Sequence, residues 1–468
     1  RLSANLGCRY LNTYLAIPQI SLFPAPIGHQ QLSFQELSAK RQAGPNPPHY
    51  DGPMLLNLIW LGFFASAFAV ALGRLTMGDA EVFPRLLTAM FDAARTGFDI
   101  SLALVGVMAL WLGILRIGER AGLVQALARA AAPALRQLFP GVPAGHPAQG
   151  AMVMNVSANL LGLDNAATPL GLKAMQELQT LNPTPERATD AQILFIVLNT
   201  AGLTLIPTSV IAIRQAMAVK QGLAGFNAAD IFVPTLLATS ISLLAALLAV
   251  AVVQRLPIWR AQLLLPLGAF GAGIGALLWG LGRLPPEVAA RAVGLAGSLV
   301  IVTLVLVFLL AGALKRVPVY EVFVDGAKEG FGVAVAIIPY LVAMLVAIGV
   351  FRAAGCMDYV MGAIGAGVAA LGWNTDFLPA LPVGLMKILS GSGARGLMVD
   401  VMQTHGVDSF PARLAAIIQG STETTFYVLA VYFGSVGVKD TRHALGCALF
   451  ADAVGIVAAI GVAYAFYR

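Results

Sequence analysis

Runs of about 20 apolar residues, the length that crosses the hydrocarbon core of a bilayer, recur along this chain. They occupy residues 55–73, 98–115, 231–253, 263–281, 289–313, 331–350 and 445–466, and each predicts a membrane-spanning helix. Two further regions, 150–218 and 377–437, are apolar but broken by Gly, Pro and Asn. They are expected either to enter the membrane and turn back as re-entrant hairpins or to span it as discontinuous helices. Over 79–96 and 119–139 charges recur at helical spacing among apolar residues. Arg116, Arg120, Arg129 and Arg136 predict an amphipathic helix lying at the interface.

The polar interruptions come in matched pairs. NVSANLLGLDNAATPLGLKAM (155–175) has its counterpart in LMKILSGSGARGLMVDVM (385–402), and LNTAGLTLIPTS (198–209) in QGSTETTFYVL (419–429). Unpaired backbone does not survive in lipid, so such breaks persist only inside protein or beside a water-filled cavity. Paired breaks in two halves are the sequence mark of a solute site at a repeat interface.

A repeat does underlie the pairing. FDAARTGF (91–98) returns as VDGAKEGF (324–331), and the same offset sets Gly122 over Gly355. The fold expected is therefore an all-α polytopic membrane protein of two related halves, 54–255 and 260–468. Residues 1–53, polar and proline-rich, read as a disordered tail or a start placed upstream of Met54. Lys and Arg gather in cytoplasmic loops, and 116–146 carries four arginines where its counterpart 352–376 carries Arg352 alone. One threading then puts Met54 inside and the C-terminus outside, which makes the halves inverted-topology repeats. Arg214 and Lys220 run against that threading.

Composition narrows the classes. Hydrophobic residues are 58% and charged residues 11% of the chain, with mean hydropathy +0.80, which excludes an ordinary soluble domain. The net charge of +6 is spread thinly, with no basic run longer than Lys315-Arg316, so a nucleic-acid surface is excluded. Cys8, Cys356 and Cys447 stand apart from one another and from the five histidines. Neither a zinc site nor a disulfide framework is indicated, and no metal or cofactor is expected. Ser421 or Thr422 with Glu423 and His405 is the only drawable catalytic set. No nucleophile elbow or HExxH motif supports it, so no catalytic residue is assigned.

The breaks carry the candidate chemistry. Asn155, Asn159, Asn165 and Thr168 offer donors and acceptors within 14 residues, and Asn binds solutes through both. Asp164 is either an ionisable group at membrane depth or a helix cap. In the second half Ser390 and Ser392 lie in SGSGARG, with Lys387 and Arg395 nearby. The turn there is either a nest of N–H groups suited to an oxygen ligand or a glycine joint between half-helices. Ser421, Thr422, Glu423 and Thr425 place a carboxylate among hydroxyls, suited to a coupling cation, a proton or a solute hydroxyl. Capping of broken helix ends accounts for any one of these residues, whereas the cluster points to a solute site. The role of Asp452, in the last helix, is open.

At these residues the chain resembles a known family. The 155–175 and 198–214 stretches resemble spore maturation protein A. VDGAKEGF, LSGSGARGLM, THGVDSFPARLA and QGSTETTFYVLAVYFGSVGVKDTRHAL resemble spore maturation protein B. The resemblance runs from Met54 to Phe466 as a fusion of the two, within a group of nucleoside-recognition, or gate, membrane domains. At Asp164 the chain departs from the family's LGLGNAATP. NAATPLGLKAM is also similar to a hairpin tip of concentrative nucleoside transporters, with Ala167 where that tip has Glu. The resemblance implies a multi-pass protein of the cell inner membrane that binds a small polar, nucleoside-like solute and transports it. The alternative is a non-transporting scaffold or sensor in the envelope, for which small-residue runs such as 362–372 suit helix packing. The lipid bilayer, the solute, a coupling cation or proton and a second copy of the chain are the expected partners.

Overall fold

Among the described residues the long apolar runs fold as helices, and helices end at Gly202 and at Thr422, where polar residues and glycine interrupt the pattern. The computed structural model describes residues 52–161, 164–202, 204, 207–256, 268–269, 271–273, 275–276, 279–280, 283 and 286–468. The tail expected over 1–53 lies outside them save for Gly52 and Pro53, and the span expected over 263–281 is only partly inside. Among the described residues all regular structure is helical, and an isolated bridge pairs Arg187 with Asp440. Seven helical stretches there are long and apolar enough to cross a membrane, so the chain is a multi-pass helical membrane protein.

One order of elements occurs twice. α1 (Gly52–Thr76) precedes α2 (Val82–Arg120), α3 (Leu123–Leu138), α4 (Pro147–Leu160), α5 (Asp164–Gln179), α6 (Asp190–Ala201), α7 (Thr208–Lys220) and α8 (Phe232–Gln254). The second series is α9 (Pro286–Leu314), α10 (Val319–Ala353), α11 (Cys356–Ala370), α12 (Leu381–Leu389), α13 (Gly391–His405), α14 (Phe410–Ser421), α15 (Thr425–Gly434) and α16 (Ala444–Tyr467). The glycines aligned by sequence occupy the same corner. Gly122 (φ 82°) and Gly355 (φ 88°) are both left-handed N-caps after the longest helix of their series, a conformation open to glycine at little cost.

Two pairs of helices at corresponding places in the two series, α2 with α10 and α8 with α16, pack against each other and run antiparallel. In the α2–α10 pair, Gly97 lies on Val342 and Gly113 on Phe323, while Gly330 lies on Met108 and Ala109 and Gly326 on Leu112. A Cβ at Gly326 would sit 2.5 Å from the Leu112 carbonyl oxygen, so glycine sets the closeness of approach. The outer helices are exchanged. Trp60 of α1 donates from Nε1 to the Ala343 carbonyl of α10 at 3.1 Å, and α9 packs on α2 with Phe308 against Gly118.

The length of α2 corrects the sequence reading. Its 39 residues extend about 58 Å at 1.5 Å per residue, well beyond the expected 98–115 span. The charges of 82–96, expected at an interface helix, belong to its first turns, and Arg116 and Arg120 to its last. Only Arg129 and Arg136 lie on the separate amphipathic helix, α3. Hydropathy registers the apolar middle of a helix and not its charged continuation.

α8 and α16 pair antiparallel at the centre. Tyr467 donates to the Asp230 carbonyl at 3.0 Å, and Gln254 meets His443 at 3.1 Å at the opposite end. Ion pairs gather at each end. At one, Asp230 binds both Arg214 and Arg413, and Arg413 also binds Asp408. Arg214, an exception to the charge bias, is thus fully buried against a carboxylate. At the other, Arg442 binds Asp190 at 2.7 Å, Lys439 binds Glu186 at 2.7 Å and Arg187 binds Asp440 at 3.2 Å. Burial and the adjacent Arg442 hold the His443 imidazole below its ordinary value, opposed by Asp190.

Candidate functional site

Two helix breaks lie side by side and touch. α6 ends at Ala201, where Gly202 turns left-handed (φ 49°), and α7 resumes at Thr208. α14 ends at Ser421, Thr422 is extended, and α15 resumes at Thr425. The freed backbone of one break satisfies the other, for Glu423 N–H donates to the Thr200 carbonyl at 2.9 Å. A Cβ on Gly202 would lie 2.7 Å from Glu423 Cγ, so the crossing requires glycine there.

The paired central helices finish the accounting that buried backbone demands. Thr239 of α8 donates to the Gly202 carbonyl at 2.9 Å. Thr425 donates to Asp452 Oδ2 of α16 at 2.6 Å. Ser242 of α8 donates to the Ala451 carbonyl at 3.0 Å, and Gly455 admits both Ser242 and Thr422 to the surface of α16.

The two helical hairpins reach the same crossing. In α4–α5, Asn155 is fully buried and closes the hairpin by donating from Nδ2 to the Ala167 carbonyl at 2.8 Å. One turn on, Asn159 donates to Asn199 Oδ1 at 2.9 Å, and Asn199 donates to Phe195 O at 2.8 Å. Asn199 directly precedes Thr200, the acceptor in the crossing. In α12–α13, Ser390 is extended and caps α13, its Oγ accepting from Gly393 N–H at 3.1 Å. Gly391 faces Thr424 in the second break. Lys387, on the last turn of α12, places Nζ 3.9 Å from Glu423 Oε2.

That pair is asymmetric. The Lys387 side chain is 6% exposed and that of Glu423 43%, so the carboxylate opens to an accessible space while the ammonium backs it from within protein. Opposite charges at this separation attract by about 4 kcal/mol at an effective dielectric of 20, before the desolvation cost of the lysine is set against it. With Asn159, Asn199 and the hydroxyls of the breaks, the crossing offers a carboxylate, an ammonium and amides with both donors and acceptors. Such a set can hold a polar organic solute by several hydrogen bonds.

The structure therefore brings together Asn159, Thr422, Glu423 and Thr425 of the expected set, with Asn155 one turn behind. Ser390 and Ser392 lie at the adjoining hairpin tip, 3.1 Å apart through their hydroxyls. The Ser421 hydroxyl is turned back to the Ile418 carbonyl of its own helix at 2.9 Å. Thr168 is half-buried on α5. The side chain of Asn165 lies outside the described residues. Asn199, Lys387 and Thr239 complete the crossing without having been assigned to it. Asn199 stands inside the LNTAGLT break and was findable there, whereas Thr239 is a lone hydroxyl in an apolar helix with no distinguishing mark. Among the described residues no group of three or more His, Cys, Asp and Glu side chains is placed to hold a metal.

Two touching helix breaks, each beside a helical hairpin, thus mark a multi-pass helical membrane protein, and the family model described as "Gate: Nucleoside recognition" matches residues 101–217 and 334–439. Those two stretches hold both breaks and both hairpins. The chain is 48% identical over 152 residues to spore maturation protein B of Bacillus subtilis (strain 168), covering 32% of this chain and 84% of that protein. It is 37% identical over 194 residues to spore maturation protein A of the same organism, covering 42% of this chain and 93% of that protein. The chain belongs to the spore maturation protein A/B family of Gate-domain proteins, with stretches similar to each in one polypeptide. No solved structure matches it.

Proposed function

We propose that this protein is a transporter that binds a small polar solute where its two broken helices cross, and that it works as two inverted-topology repeats. The observation that carries the reading is the Glu423–Thr200 hydrogen bond, which joins the breaks while the Glu423 carboxylate stays accessible beside Lys387. Backbone interrupted at membrane depth is costly unless it lines a site, and discontinuous helices at a repeat interface are how membrane transporters build one. The antiparallel packing of α2 on α10 and of α8 on α16 is what an inverted repeat produces. Cavities of 490 Å³ beside Asp230 and Arg413 and of 480 Å³ beside Asp190 and Arg442 supply a vestibule at either end of the α8–α16 pair, with the crossing midway. Rocking one hairpin and broken helix against the other would open these in turn.

The solute class fits the family's description. A nucleoside presents ribose hydroxyls and a base edge with both donors and acceptors, complementary to Glu423, Asn159 and Asn199. An amino acid would use the Glu423–Lys387 pair instead. Saturable uptake of one of a panel of labelled nucleosides and amino acids into proteoliposomes is expected, reduced at least tenfold by Glu423→Gln. Neither uptake nor saturable binding of any member would sink the reading.

A further inference from the structure

Asp452 lies in the middle of α16 with 1% of its surface exposed. One carboxyl oxygen accepts from Thr425, and the other, Oδ1, is buried with no hydrogen-bond partner among the described residues. The charges around it do not balance. Lys387 lies within electrostatic reach of Asp452 and also 3.9 Å from Glu423, so one buried ammonium serves two carboxylates. The other helices on α16 bring no compensating cation to this depth. α8 has no charged residue, α6 and α14 carry theirs at the far ends as Asp190 and Arg413, and α9 carries Glu287 and Arg291 at its start. α15 contributes only Tyr427 and Tyr432. With both acids ionised the trio would carry a net charge of −1 inside the protein, where an unpaired ion is strongly disfavoured.

We infer that Asp452 is the proton-binding site of this protein, carrying on Oδ1 the proton that neutralises the Lys387–Glu423–Asp452 trio. Glu423 is the accessible member of the trio. A solute that brings a cationic group to Glu423, or draws Lys387 to itself, changes which carboxylate the ammonium serves, and the Asp452 proton is taken up or released accordingly. Binding at the crossing is thereby linked to proton binding one helix away. The inference rests on the crossing being the solute site for its coupling role, but the protonation itself is measurable without any solute.

The test is infrared spectroscopy of the full chain in nanodiscs, with isotope-labelled aspartate to isolate its carboxyl band. At neutral pH the wild type is expected to show a protonated aspartate band, lost in Asp452→Asn, whose amide still accepts from Thr425. Glu423→Gln removes the surplus charge, so the band should disappear at neutral pH in that variant too. Lys387→Met should hold the band to higher pH. Absence of the band from wild type, its persistence in Asp452→Asn, or its removal by sodium at fixed pH would overturn the proposal, the last in favour of a sodium site. Because no outcome depends on transport, a failure here is distinguishable from absence of uptake.

Discussion

Gly202 holds the candidate site together by lacking a side chain. Its left-handed φ and the 2.7 Å separation from Glu423 Cγ both work against any replacement, so Gly202→Ala should displace the carboxylate from the crossing. The expected outcome is loss of solute uptake with a modest fall in thermal midpoint, measured on the same proteoliposome preparations. Arg214 gives a contrasting case of stability without solute contact. It is fully buried, and Asp230 is its ion-pair partner. Removing one partner of a buried pair leaves an uncompensated charge at a cost of about 3–5 kcal/mol, so Asp230→Ala should lower the thermal midpoint far more than Gly202→Ala does. At this scale the sequence was legible in part. A glutamate among hydroxyls in an apolar stretch stands out, as Glu423 does. That Lys387 backs Glu423, and that Asn199 receives Asn159, depends on contacts between segments 36 and 40 residues apart, which no local spacing encodes.

Helix boundaries at the breaks were readable because glycine, asparagine and hydroxyl-bearing residues both stop helices and mark themselves in an apolar background. The extent of α2 and α10 was not, since their charged first turns resemble interfacial segments when hydropathy alone is read. The register of that pair lies in glycines whose role appears only when the partner helix is present. Gly330→Val would press a branched side chain into the Met108–Ala109 backbone, where Cβ alone already comes within 2.6 Å. Overpacking of this kind costs about 1–3 kcal/mol and should appear as a lower thermal midpoint in detergent. The turn between α1 and α2 is tied differently. Asp79 accepts from Arg74 and Arg85, while Arg74 also donates to the Ala354 carbonyl at the end of α10 at 3.2 Å. Burial pushes the Asp79 carboxyl up, and the hydrogen bonds and charges of the two arginines more than offset it, holding the group below the ordinary carboxylate value. A depressed value in the folded state contributes stability that is full above the ordinary carboxylate value and disappears as pH falls through the depressed one. Asp79→Asn should therefore lower the thermal midpoint at neutral pH and leave it unchanged in strong acid.

Two antiparallel helix pairs, α2 on α10 and α8 on α16, organise the molecule, and ion pairs gather at both ends of the α8–α16 pair. Short motifs and the Gly122–Gly355 match are where the sequence suggests a repeat. The inverted orientation proposed for it draws little from arginine counts, because positive charge is informative in loops and Arg214 is spent on a buried pair. Single cysteines at Thr184 and at Thr404 should react with an impermeant thiol reagent from opposite sides of a sealed vesicle, since the turn before α6 and the last turn of α13 lie at opposite ends of the α8–α16 pair. Reaction of both from one side would refute the inverted arrangement. The central claim is that the solute is bound where the two breaks cross. An electron cryomicroscopy structure of the full chain, with a saturating concentration of the solute that the uptake panel identifies, tests it most directly. Density in contact with Glu423 and Asn199, midway between the two charged ends, is the expected result. Density confined to the cavity beside Asp230 and Arg413, with the crossing empty, would contradict it.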